Sequence, residues 1–208
     1  AYLPEGDTSM DYMLMTHFHN DHFGTTNAQE DYPMDSRDGY KYPLTGIMAL
    51  YDEVPFDKII DRAFDENSNY VTYVPATGQD YSDGYGYYGQ FVTWARAKKG
   101  LVVEKAVNGS DSQLALVNKP SEYPDFKIQN IYASGQLWTG EGLETTDLVP
   151  GEGEEKLANE KMMNENRNSC TINISYGDFD YHSGGDIQGM KADAPNQWLN
   201  IEKTVGEF

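Results

Sequence analysis

Apolar positions along the chain fall in short runs, and the spacing within each run predicts an element. Tyr12-Met13-Leu14-Met15 is a continuous apolar run behind a polar lead-in, of strand length and too short for a free-standing helix. Leu44, Ile47, Met48, Leu50, Tyr51 and Val54 recur at helical spacing and Pro55 closes them, which predicts a core-facing helix. Residues 56–62, centred on Lys58-Ile59-Ile60, predict the strand that follows. Another strand is expected over residues 70–74, stopped by Pro75. Residues 91–100 read as a helix whose last turn carries Arg96, Lys98 and Lys99 before Gly100, the charges and stop that suit a C-terminus. Alternation predicts strands at 101–107, 113–117 and 127–132.

Between these runs the pattern turns polar. Residues 25–42, with Pro33 and Gly39, read as a long loop, either a substrate wall or a surface insertion. Residues 79–90 combine four tyrosines with glycines (Tyr81, Gly84, Tyr85, Gly86, Tyr87, Tyr88, Gly89) and read as a loop, offering either a contact surface for sugars or bases or ordinary packing. A solvated loop containing Trp138 is expected over 135–142, and a short polar helix over 154–164. Cys170, Ile172, Ile174 and Tyr176 alternate with Thr171, Asn173 and Ser175, a half-buried strand. Gly177-Asp178 then predicts a hairpin whose return strand begins at Phe179 and Tyr181. Trp198, Leu199, Ile201 and Val205 suggest a last helix. A helix and a strand directly after the first run fit a layered α/β or α+β fold. With no internal repeat, residues 1–208 read as one domain with an insertion-rich middle over about 25–165.

Composition narrows the partners. A chain of 208 residues can bury a substantial core, although 38% hydrophobic content implies many loops. No apolar run reaches the length of a membrane span. The formal net charge is −19. Affinity for a phosphate backbone comes from Lys and Arg displacing counterions, so extended nucleic acid is disfavoured and a small substrate is expected. One cysteine, Cys170, leaves no internal disulfide and reads as a small core residue. Residues 1–7 lack a signal-peptide pattern and the first residue is not Met, so a processed or excised segment is expected. The acidic, Tyr-, Asn- and Gly-rich composition is compatible with cytoplasm and with a bacterial periplasm or cell surface; the outward placement is preferred.

The chemistry concentrates in Thr16-His17-Phe18-His19-Asn20-Asp21-His22-Phe23-Gly24, which holds three of the four histidines. In extended chain i and i+2 share a face, so His17 and His19 can present imidazoles to one cation. A helical turn over Asn20 to Phe23 would bring Asp21 and His22 to a second position nearby. Imidazole and carboxylate suit zinc, and also iron or manganese.

This stretch resembles the His-x-His-x-Asp-His signature of the metallo-β-lactamase superfamily, which Met13 to Gly24 fit without a gap. A second stretch, Asn168 to Asp186, is similar to that superfamily's segment of an Asn-x-Ser-type start, strand, tight turn, strand and Gly-Asp pair, most of all in the competence-protein (ComEC-like) branch. The resemblance implies an αββα sandwich, whole or partial, and a hydrolase using metal-activated hydroxide. It implies two Zn2+ ions, with Mn2+ or Fe as alternatives. His17 and His19 would hold the first metal, Asp21 and His22 the second. Asp186 would bridge them, and Asp21 would also orient the nucleophile as the catalytic residue. A phosphodiester or other ester is the expected substrate, with lactones and amides as alternatives.

The chain departs from the family pattern in three places. No histidine lies between Phe23 and Tyr181, where most members supply another ligand, and Asn168 or Ser169 is the polar residue expected near the site instead. Neither the opening strands nor the last histidine of the family is present, so the chain reads as the middle of such a domain. It would then be truncated, completed by a second segment or subunit, or degenerate. His182, four residues before Asp186, is expected in a core or surface role. The reading from a different class is a non-catalytic binding module, with a structural metal and the Tyr-rich loop contacting a glycan or protein.

Overall fold

The computed structural model describes Gly6 and residues 8–24, 34–66 and 82–208. The described chain up to Lys105 forms one compact unit, and Ala106 to Phe208 form another. The architecture is mixed α+β, with a parallel sheet in the first unit and an antiparallel one in the second.

In the first unit β1 (Met10–Met15) leads into the short helix α1 (Asn20–Phe23). The hairpin β2 (Met34–Arg37) and β3 (Tyr40–Pro43) precedes α2 (Gly46–Glu53) and β4 (Phe56–Asp61). Helix α3 (Ser82–Lys99) and β5 (Val102–Lys105) complete it. The parallel sheet has β4 at its centre, with Met13 opposite Ile59 and Ile59 opposite Val103. Ile59 and Ile60 are both fully buried, as a parallel strand covered on two faces requires.

Two loop expectations fail here. Residues 34–43 form a hairpin, with Asp38 at φ 52 and Gly39 at φ 90, the left-handed pair of a type I′ turn. Arg37 forks onto both oxygens of Asp52 on α2 at 2.7 and 2.6 Å, and Tyr42 packs on Phe91 and Trp94. Residues 25–33 lie outside the described chain, as does the strand expected at 70–74.

Helix α3 begins well before residue 91, so residues 82–90 are helical rather than a Tyr/Gly loop; residues 79–81 are outside the described chain. Tyr88, Phe91, Val92 and Ala95 stand at helical spacing and all are buried. Gly84, Gly86 and Gly89 each cost the helix about 1 kcal/mol relative to alanine. Burying each large side chain returns about 1.5–3 kcal/mol, so packing overrides propensity.

The second unit is built on β6 (Lys127–Ala133), β7 (Gln136–Trp138), β8 (Thr145–Asp147), β9 (Thr171–Tyr176) and β10 (Phe179–Ser183), in the order β10-β9-β6-β7-β8. Helices α4 (Gly153–Glu160) and α5 (Ile201–Gly206) belong to it. Its core gathers Ile131, Tyr132, Val149, Met163, Leu199, Ile201 and Val205. The β9–β10 hairpin turns through Gly177-Asp178 as the sequence implies, with Gly177 at φ 59, and Cys170 is buried.

Residues 113–117 form no strand. The Ser110 hydroxyl accepts the N–H groups of Ser112 and Gln113, and the Gln113 side-chain oxygen Oε1 accepts from the Val107 N–H and the Asn130 side-chain amide. Side chains close a turn where a ladder was expected. The expected loop at 135–142 instead contains β7, paired to β8, and the Trp138 indole N–H donates to the Gly142 carbonyl at 3.0 Å. Helix α4 stops at Glu160, short of residue 164. No helix among the described residues is long and apolar enough to cross a membrane.

Candidate metal centre

Strand β1 delivers the histidine run to the C-terminal edge of the parallel sheet, beside the end of β4, where Met15 pairs with Asp61. That edge is where α/β sheets place their ligands. The backbone is still extended at His19 (φ −88, ψ 146), which caps α1. Alternation therefore sends His17 and His19 to one side and Phe18 to the other. Phe18 is buried, with Tyr88 at 5.3 Å and the Arg62 guanidinium at 5.1 Å from its ring. His17 is 0% exposed.

The structure brings three imidazoles together. His17 Nε2 and His19 Nδ1 are 3.0 Å apart. The turn of α1, in which the His19 carbonyl accepts the N–H groups of His22 and Phe23, swings His22 over His17 with ring centroids 4.1 Å apart. One ring nitrogen of each lies within 4.8 Å of the other. The Thr16 hydroxyl stands 3.2 Å from His17 Nδ1. Ring nitrogens of His17 and His22 at this spacing can both reach one divalent ion of the zinc, iron or manganese type, and His19 is not part of the group that meets it. Asp21 is less enclosed: its side chain is 81% exposed, with Oδ2 3.9 Å from His22 Nε2.

Helix α1 is fixed by a backbone approach. Gly24 ends it in the left-handed conformation (φ 85), directly against Gly46 at the start of α2. The Thr45 hydroxyl donates to the Gly24 carbonyl at 2.5 Å. No side chain fits between the two glycines.

Sequence reasoning passed over Asp61 and placed Tyr88 in a loop. Asp61 is wholly buried at the end of β4, accepting the N–H groups of Ala63 and Phe64 at 2.9 and 2.7 Å and the Tyr88 hydroxyl at 2.8 Å. This carboxylate ties α3 to the strand edge beside the histidines. An aspartate closing a buried apolar strand was the available signal, and Tyr88 was hidden in what looked like a loop. Tyr88→Phe is expected to cost about 1–3 kcal/mol, because it removes a donor from a buried acceptor. Urea unfolding measures it, and an unchanged midpoint would show that the bond contributes nothing.

The other motif residues lie in the second unit. Asp186 follows β10 and Gly185, and its N–H donates to the Ser169 hydroxyl at 3.3 Å, so the two ends of the second motif meet. Ser169 and Asn168 are buried, and the Asn168 amide donates to the Asn164 carbonyl at 3.0 Å. His182 lies on β10 opposite Asn173 and lines a cavity. Desolvation there lowers its pKa from the usual 6.5. In comparisons with known proteins, no family model and no curated protein matches the chain.

Proposed function

We propose that this protein is a metal-dependent hydrolase of the metallo-β-lactamase type, acting on a small phosphodiester or other ester. The observation that carries the reading is the packing of His17, His19 and His22 at the end of β1, produced by a run that fits the superfamily signature. In this proposal the three imidazoles and Asp21 hold two divalent ions, Zn2+ first and Mn2+ or Fe as alternatives. Asp186 is the carboxylate proposed to complete the set. Ions bound there would lower the pKa of water and polarise a scissile carbonyl or phosphoryl bond. The chain's own part is to fix the imidazoles from a rigid strand edge, with Phe18 and Phe23 anchored in the core. Asp21 is proposed to orient the attacking water. The αββα sandwich of that superfamily is part of the proposal. A net charge of −19 favours a compact substrate over an extended polyanion. Lactones and amides are alternatives of the same chemistry.

The test is metal content by elemental analysis together with turnover of bis-p-nitrophenyl phosphate and a lactone, with and without chelator. Turnover is expected with bound metal and is lost on chelation. Asp186→Ala should lower metal content and remove turnover. Asp21→Ala should remove turnover while the circular dichroism spectrum stays unchanged, because that side chain is mostly exposed. A metal-loaded protein that cleaves neither substrate would overturn the hydrolase. Unchanged metal content in Asp186→Ala would remove that residue from the site.

A further inference from the structure

The geometry points to a second site, for a neutral mono- or disaccharide, on the β6–β9–β10 face of the second unit. A cavity of about 550 Å³ opens there, within the size range of small-molecule pockets. Three strands supply one polar row across its floor. Gln129 on β6 stands opposite Asn173 on β9, which stands opposite His182 on β10. Neighbouring strands are about 4.8 Å apart, comparable with the span between hydroxyls on opposite sides of a pyranose ring. Ser175 and Lys127 form the next row. Trp138 and Phe208, ring centroids 5.4 Å apart, supply the aromatic wall against which the C–H face of a sugar packs.

Gln129 is what marks this cavity as a site. It is 6% exposed, lines the cavity, and its Nε2 makes no hydrogen bond. Buried amides are normally satisfied, and each exception calls for an explanation. The terminal amide turns about a soft torsion, so it can offer this N–H to a ligand oxygen. The neighbouring charged groups already have partners. Lys127 pairs with Asp111 at 3.4 Å, and the Asn173 amide donates to Asp180 at 3.3 Å. What remains is a set of neutral donors and acceptors beside an aromatic surface, in a strongly acidic chain. That combination selects a polyhydroxylated neutral ring over an anion. The site is independent of the metal proposal.

The test titrates the isotopically labelled full chain with glucose, N-acetylglucosamine, maltose and cellobiose, and separately with sodium acetate, following side-chain amide and indole N–H signals by NMR. At least one sugar should give saturable shifts at Gln129, Asn173 and Trp138 in the millimolar range, with acetate giving none. Gln129→Met should weaken that binding at least tenfold without lowering the unfolding midpoint, because the lost amide satisfies nothing in the free protein. Should Gln129→Met fail to fold, Asn173→Ala is expected to give the same tenfold loss. No saturation with any sugar, a response to acetate in their place, or undiminished binding in a folded variant would each overturn the proposal.

Discussion

Gly46→Ala is expected to destabilise the first unit by more than about 4 kcal/mol, a size reserved for gross steric or packing damage. A Cβ at this position would stand 2.1 Å from the Phe23 carbonyl oxygen and 2.4 Å from Gly24 Cα. Both neighbours are backbone, so no rotamer change relieves the clash, and α1 must move away from α2. Residue 46 also sits at φ 53, where a side chain adds about 1–2 kcal/mol of strain. Because α1 carries His22, metal content should fall together with the urea midpoint. Gly39→Ala separates the two causes. Gly39 has a similar left-handed backbone (φ 90) but open space around it, so only the strain should appear. Equal midpoints for the two variants would mean that the close approach of Gly24 and Gly46 contributes nothing.

His17→Ala is the second large effect, on metal affinity. Its ring is wholly buried and touches both other imidazoles, with 3.0 Å to His19 Nδ1 and 4.1 Å between its centroid and that of His22. Altering a partner behind a metal ligand costs roughly 10–100-fold in affinity, and if His17 is a ligand, as proposed, its loss should exceed that. Competition against a chelator of known affinity, followed by elemental analysis after dialysis, gives the number. His182→Ala serves as the control, since His182 lies on β10 beside Asn173, and its metal content should equal that of the wild type. Full metal occupancy in His17→Ala would end the metal proposal whatever the activity data showed.

Much of the fold was legible from local signals. The apolar run ending at Met15 and the Ile59-Ile60 pair of β4 announced themselves because a parallel strand covered on both faces places apolar residues consecutively. The β9–β10 hairpin was readable because period-two alternation flanks a two-residue glycine turn. In the site, the i, i+2 spacing of His17 and His19 and the helical turn to His22 were fixed by backbone periodicity alone.

Other elements depended on partners far away in sequence. The glycines and tyrosines of residues 82–90 have weak helix preference, and they became helix because Tyr88 and Phe91 are buried in the first unit's core and Tyr88 bonds Asp61. Residues 113–117 alternate like a strand, yet Ser110 and Asn130 capture their polar groups first. The unsatisfied amide of Gln129 could not be foreseen, because satisfaction depends on every neighbour and not on the residue itself.

By itself, then, the sequence determined which residues form the imidazole cluster and how they are spaced along one strand and one helical turn, since bond geometry over a few residues sets both. Tertiary structure alone decided that a pair of glycines 22 positions apart would lock that turn in place, and that a buried tyrosine would brace the strand beside it. Such contacts arise from how surfaces close on one another, and local periodicity carries no record of them.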